Sequence, residues 1–70
     1  MSAVVRINGQ DKTFEQGLPA TLSKLLEKMD IDAATVVAEV DGRIVERRDF
    51  SQTEITEGQS IELIRFVGGG

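Results

Sequence analysis

The chain has 70 residues, of which 40% are hydrophobic and 29% are charged, and this is the composition of one small globular domain. It has no histidine, cysteine, tyrosine or tryptophan, which excludes the commonest general base, a thiol nucleophile, disulfides and thiolate metal sites. In so small a chain these absences disfavour a self-contained enzyme. A formal net charge of −4 disfavours binding to nucleic acid, so we expect a protein partner.

The first part of the chain predicts a β-hairpin. Residues 3–8 alternate between two faces, which is the period of a strand. Asn8-Gly9 is a strong hairpin signal, because both central positions of a type I′ turn require positive φ. Asp11 to Glu15 is predicted as the returning strand, with Phe14 as its core residue.

A short helix is predicted next. Gln16 to Pro19 breaks the strand, and the hydroxyl of Thr21 is suited to cap a helix. Four apolar side chains follow at helical spacing, namely Leu22, Leu25, Leu26 and Met29. A helix of about nine residues depends on packing against a sheet for its stability. Residues 30–35 then form a polar connection, with Ile31 and Ala33 as its anchors.

The second half of the chain predicts another hairpin and a final strand. Val36 to Asp41 alternates, Asp41-Gly42 is a second hairpin signal, and Arg43 to Val45 is a brief return strand. Residues 46–55 are predicted to be irregular, with Phe50 and Ile55 packed against the core. In the final strand the inward residues are Ile61 and Leu63, and the outward residues are Glu62, Ile64 and Phe66.

Segregated strands and one main helix indicate an α+β domain. We expect a mixed sheet of four to five strands with the helix packed on one face. If the last strand returns to lie beside the first, the arrangement is a β-grasp. The periodicity supports the order of the elements along the chain but does not fix the order of the strands in the sheet.

The chain ends in a glycine-rich segment that follows directly on the last strand. We predict a domain at residues 1–66 and a flexible tail at residues 67–70. Fully extended, Val67 to Gly70 reaches about 13 Å. Such an arm can enter the active site of another protein, so we expect the chemistry to occur at the carboxyl carbon of Gly70. The alternative is an inert terminus or linker.

The chain resembles the ubiquitin-like sulfur carriers of the ThiS family along its whole length. The matching segments are Ile7-Asn8-Gly9, Thr21 to Leu26, Glu39 to Val45, Glu57 to Glu62 and Arg65 to Gly70. The closing Val-Gly-Gly-Gly is the most specific of them. The family commonly has Asn-Gly where this chain has Asp41-Gly42, and often has Pro and Trp near the places of Glu46 and Phe50.

The resemblance implies a β-grasp fold and a carrier of sulfur for thiamine-thiazole biosynthesis. A ThiF-like E1-type adenylyltransferase would use ATP to adenylate the carboxylate of Gly70. A sulfur-donor protein would supply the sulfur of a thiocarboxylate, and a ThiG-like thiazole synthase would accept it. The carrier would be a cytoplasmic protein co-substrate that is monomeric when free, binds no cofactor or metal, and has no nucleic acid or membrane partner.

Two groups of residues are predicted to bind these partners. Ile64, Phe66 and Val67 place apolar surface beside the tail, while Gly68 and Gly69 would pass through a narrow channel. The alternative for Ile64 and Phe66 is that they merely cover the core, since single exposed apolar residues are common.

Several other interpretations share the same fold. A MoaD-like molybdopterin carrier, or a carrier for cysteine or another metabolite, would use the same tail, but MoaD-type chains tend to be longer and to end in two glycines. A ubiquitin-like modifier would conjugate to lysines, and an inert β-grasp module would do neither. Arg47-Arg48 is interpreted as solvated surface, and Asp30 and Asp32 as loop residues rather than metal ligands.

Overall fold

The computed structural model describes residues 2–66, in which there are five strands, one α-helix and two 3-10 helices. The strands are β1 (Ala3–Ile7), β2 (Gln10–Phe14), β3 (Val36–Val40), β4 (Arg43–Val45) and β5 (Ser60–Arg65). Helix α1 (Leu22–Lys28) lies between β2 and β3, and the 3-10 helices are Ala33–Thr35 and Arg47–Gln52. Among these elements no helix is both long and apolar enough to cross a membrane.

The strands form one mixed sheet in the order β2-β1-β5-β3-β4. Strand β5 therefore lies in the centre, parallel to β1 on one side and antiparallel to β3 on the other. The other two neighbouring pairs are antiparallel. This arrangement confirms the predicted α+β class and β-grasp fold, including the return of the last strand to the side of the first.

Both hairpins have the turn that their sequences predict. Asn8 and Gly9 have φ angles of 52° and 80°, and Asp41 and Gly42 have φ angles of 52° and 84°. Positive φ at both central positions is the signature of a type I′ turn. The two-residue turns set the register of each hairpin. Strand β2 begins and ends one residue earlier than predicted.

Helix α1 is shorter than expected because its end is fixed by backbone geometry. At its start the Oγ1 of Thr21 accepts a hydrogen bond from the Lys24 N–H at 3.3 Å, as predicted. At its end Asp30 takes a φ of 58°. The N–H of Ile31 donates to the carbonyl of Leu26 at 2.9 Å, and the N–H of Asp30 donates to Glu27 at 3.1 Å. This pair of bonds is a Schellman motif, which stops the helix after seven residues.

The core lies between α1 and one face of the sheet. Its buried members are Val5, Ile7, Phe14, Leu22, Leu25, Leu26, Val36, Ala38, Val40, Phe50, Ile55, Ile61 and Leu63. Leu18, Met29, Ile31, Ala33 and Val45 pack around them. The segment predicted to be irregular contains the second 3-10 helix, and it carries Phe50 into the core. Its end is tied to the start of α1 by the bond from the Leu22 N–H to the Thr53 carbonyl, at 2.8 Å.

Candidate functional site

The last described residues of the chain follow directly on the central strand, β5. At the start of β5 the N–H of Arg6 donates to the carbonyl of Gln59 at 2.9 Å. Past the end of β5 the N–H of Phe66 donates to the carbonyl of Thr35 at 3.1 Å. The backbone is thus held by the fold up to the last described residue, which gives any segment beyond it a fixed starting point.

Asn8 extends the ladder between β1 and β5 beyond the point where β1 turns away. Its backbone N–H donates to the carbonyl of Ile61 at 2.9 Å. The next bond of a parallel ladder would be accepted by the Asn8 carbonyl, but the side-chain Oδ1 of Asn8 accepts it instead, from the Leu63 N–H at 2.7 Å. The turn residue therefore holds β5 at Leu63, close to Phe66, the last described residue.

Asp41 makes a similar anchor on the other side of β5. Its Oδ1 accepts a hydrogen bond from the N–H of Ser60 at 2.9 Å, and its own N–H donates to the Ser60 carbonyl at 2.7 Å. Both hairpin turns therefore do more than reverse the chain. Together Asn8 and Asp41 fix the central strand from its two sides.

The outward face of the sheet, opposite α1, carries an exposed apolar patch. We call it the outer patch, and its members are Val37, Ile44, Ile64 and Phe66, which are 38%, 70%, 51% and 48% exposed. Val37 and Ile64 are directly opposite each other on β3 and β5. Ile64 and Phe66 are exposed on the face where the sequence predicts them, and they extend towards the end of the chain.

Val37 and Ile44 were not identified as site residues from the sequence. The signal for Ile44 lies in the Asp41-Gly42 turn, whose two-residue loop pairs Val40 with Arg43. That register places Ile44 opposite Glu39, on the outward face. Strand β4 has three residues, and their alternation alone is too short to show on which face Ile44 lies.

The two other charged clusters considered from the sequence form ordinary local contacts. The Oδ1 of Asp32 accepts a bond from the Ala34 N–H at 2.9 Å and caps the first 3-10 helix. Arg48 pairs with Glu46 at 3.3 Å, with both side chains largely in solvent. Within residues 2–66 no three His, Cys, Asp or Glu side chains are grouped so as to hold a metal ion.

Three shallow hollows lie around α1, on the side of the sheet away from the outer patch. One is lined by the end of β2 with Lys28 and Met29, a second by Pro19, Ala20 and the outer surface of α1, and the third by residues 27 and 30–32. All three are wide open to solvent. Because none of them encloses a space for a ligand, the outer patch and the end of β5 are the stronger candidate site.

The remaining predicted site residues, Val67, Gly68, Gly69 and Gly70, lie outside the described residues. The predicted boundary between the domain and its tail also falls there. Their roles stay predictions from the sequence.

The sequence of this chain matches one known protein family over nearly its whole length. The profile of the ThiS family matches residues 3–70, which is nearly the whole chain. The chain belongs to the ThiS family. The resemblance noted in the sequence is thereby confirmed, and the match extends through all three terminal glycines.

Individual relatives agree with this assignment. The crystal structure of the thiamine biosynthesis protein ThiS from Geobacter metallireducens superposes with a TM-score of 0.83 at 28% identity, and covers 96% of this chain and 99% of that one. The sulfur carrier protein ThiS of Bacillus subtilis is 25% identical over 67 residues, covering 96% of this chain and all of the relative. Both ThiS proteins are close to this chain in length, and the Geobacter protein also shares its fold.

A third relative is much longer. A thiazole synthase of Paramagnetospirillum magneticum is 30% identical over 64 residues, which is 91% of this chain and 19% of that protein. The chain thus spans about a fifth of the length of this relative. A segment like this ThiS-family domain therefore occurs within a polypeptide named for thiazole synthesis.

Proposed function

We propose that this protein carries sulfur for thiamine biosynthesis as a thiocarboxylate at Gly70. The observation that carries the proposal is the ThiS-family match, which runs from residue 3 through Gly70 and so includes the glycine tail. The two ThiS relatives are named for thiamine biosynthesis and for sulfur carriage. The match to a thiazole synthase supports the same pathway.

The chemistry begins with a carboxylate that needs activation. A terminal carboxylate is ionised near neutral pH and is a poor electrophile. In a ThiF-like E1-type adenylyltransferase the Gly70 carboxylate attacks the α-phosphate of ATP and pyrophosphate is released, which gives an acyl-adenylate whose AMP is a good leaving group. A sulfide-level sulfur atom from a donor protein then forms a bond to the acyl carbon and displaces AMP. The resulting thiocarboxylate passes its sulfur to a ThiG-like thiazole synthase, and the Gly70 carboxylate is regenerated.

Glycine is the residue that suits this tail. Because glycine has no Cβ, a run of glycines is the narrowest chain that a polypeptide allows, and backbone angles closed to other residues are open to it. A channel in the partner enzyme that admits them excludes a bulkier side chain. Access to the adenylation site is thereby limited to chains with this ending.

The outer patch is the docking surface in this proposal. Ile64 and Phe66 are about half exposed and lie on the strand that leads to the tail. Val67 continues the same apolar sequence towards the glycines. A partner that covers these side chains removes apolar surface from water while it receives the end of the chain.

The protein itself acts as a co-substrate rather than as an enzyme. Its 70 residues include no histidine and no cysteine, so the catalytic groups for adenylation and sulfur transfer come from its partners. In this proposal the free carrier is monomeric and cytoplasmic, and ATP is bound by the activating enzyme.

Intact-mass spectrometry tests the proposal. The protein is incubated with ATP, a sulfur donor and the ThiF-like adenylyltransferase of the same organism. We expect a mass gain of one oxygen-to-sulfur exchange, and none in a matched variant that lacks Gly70. Isopeptide adducts to lysine would indicate a ubiquitin-like modifier instead, and an unchanged mass would indicate an inert module.

A further inference from the structure

Two carboxylates face each other at the centre of the outward face. Glu39 on β3 and Glu62 on β5 are direct partners in the register. The bonds between Asp41 and Ser60 and between Thr35 and Phe66 fix the alternation of the ladder, so that Glu39 and Glu62 form one of its hydrogen-bonded pairs. The Cα atoms of such a pair are about 5.5 Å apart, with both side chains on the same face.

This placement is unfavourable for the isolated domain. Like charges directly opposite each other destabilise a sheet. Within residues 2–66 the two ion pairs are Arg6 with Asp11 and Arg48 with Glu46, each at 3.3 Å, and neither includes Glu39 or Glu62. Arg6 is on the same face, but its guanidinium is directed to Asp11. The charge of the two carboxylates is therefore not balanced by an ion pair in the described part of the chain.

The carboxylates lie within the outer patch rather than beside it. Ile44 is opposite Glu39, and Val37 and Ile64 form the next hydrogen-bonded pair along the same two strands. A partner that covers these apolar side chains also removes water from the two carboxylates. Desolvated carboxylates cost free energy unless a cation binds them, so an entirely apolar partner surface would be rejected.

A guanidinium fits this arrangement better than an ammonium. Its planar group carries five N–H donors in a fixed fork, which can bond two neighbouring carboxylates at once. Such charge-assisted bonds are about twice as strong as neutral ones. The apolar patch would then contribute affinity, and the two carboxylates would select the partner by its charge.

We propose that the outer patch and the Glu39–Glu62 pair bind an apolar surface of the adenylyltransferase that presents an arginine between the two carboxylates. This inference rests on the proposed function, because the occupant is the enzyme that adenylates Gly70. That enzyme acts on a carboxylate that is not yet activated. Every polypeptide ends in such a carboxylate, so in addition to the glycine tail the enzyme can select its substrate by the surface of the domain, which is continuous with the strand leading to the tail.

Calorimetric titration of the adenylyltransferase from the same organism tests this inference. At low salt we expect Glu39→Gln and Glu62→Gln each to raise Kd about fivefold, because one charge-assisted bond is weakened while the other carboxylate still pairs with the arginine. The difference from the wild type should shrink at high salt because the charges are screened. The melting temperature of both variants should hold or rise, since the repulsion between the carboxylates is relieved.

Glu27→Gln is the matched control, because it makes the same charge change at an exposed position of α1, which lies on the other side of the sheet. An equal loss of affinity in Glu27→Gln would overturn the inference, since net charge alone would then explain it. Unchanged affinity of the Glu39 and Glu62 variants for the adenylyltransferase would overturn it too. So would a parallel titration in which these variants lose affinity only for the thiazole synthase. If the Glu39 and Glu62 variants bind normally but Ile64→Glu still weakens binding to the adenylyltransferase, the proposed function stands and only the arginine contact is rejected. Failure of the wild-type protein to bind would remove both.

Discussion

The two faces of the sheet are built from the same strands but differ in what they contact. On the inner face Ala38 and Ile61 are fully enclosed beneath α1. On the outer face Val37 and Ile64, each one or a few residues away along the same strands, are exposed. Alternation thus places neighbouring residues in different surroundings, and in the proposed function stability depends on one face and recognition on the other. Each prediction below tests whether the two can be separated.

The largest effect on activity is expected for changes in the tail, and these changes should leave the packing of the inner face intact. Deletion of Gly70, or Gly69→Val, should abolish adenylation, because the reacting carboxyl group is displaced or a Cβ blocks a narrow channel. The melting temperature should be unchanged. ATP–pyrophosphate exchange with the adenylyltransferase measures the first effect and thermal unfolding the second. Wild-type exchange by either variant would contradict the account of the tail.

On the inner face, Leu25→Ala should lower the free energy of unfolding by about 2–5 kcal/mol. Leu25 is fully buried between α1 and the sheet, so its truncation leaves a cavity. Urea unfolding measures the change. The control is Lys24→Ala on the exposed side of the same helix, for which we expect a change within about 0.5 kcal/mol. Equal losses in the two variants would mean that the core has been placed wrongly.

On the outer face, Ile64→Glu should raise the Kd for the adenylyltransferase about tenfold or more, which is about 1.4 kcal/mol. A charge would then be buried against the partner without a counterion. The melting temperature should change little, because Ile64 is half exposed in the free protein. Thr13→Glu, on the same face but on the edge strand β2, is the control and should bind normally. An unaltered Kd for Ile64→Glu would refute the docking role.

A smaller effect is expected at the anchor of the central strand. Asn8→Gly keeps the positive φ of the turn but removes the oxygen that accepts from Leu63, and should cost about 1 kcal/mol of folding free energy. Asn8→Asp retains an acceptor at the same place and should cost less. Chemical denaturation of both variants distinguishes the bond from the turn. If the glycine variant were as stable as the wild type, the bond would not contribute to holding β5.

Local signals were enough to predict most of the elements. Asn8-Gly9 and Asp41-Gly42 require positive φ, and the spacing of Leu22, Leu25 and Leu26 fixes the buried side of α1. These features depend on residues close together in the chain. The position of β5 between β1 and β3 does not. The order of the elements left the return of the last strand to β1 as one possibility, the family resemblance implied it, and the pairing of β5 with β3 is known only from the structure.

What the sequence did not reveal also has a physical reason. The bond between Asn8 and Leu63 joins residues 55 positions apart, and no local pattern encodes it. The 3-10 helix Arg47–Gln52 is polar apart from Phe50, so it lacks the spacing that marks a helix. The facing pair of Glu39 and Glu62 becomes visible only when the register of β3 against β5 is known.

The central claim is that sulfur is carried on the acyl group of Gly70, presented by a domain that does no chemistry itself. Fragmentation mass spectrometry of the charged protein tests it most directly, because it shows which residue has gained the sulfur. The account predicts that the added mass lies wholly in a fragment that ends at Gly70, with the rest of the chain unmodified. Sulfur located on any other residue, or a mature chain that continues past Gly70, would contradict it.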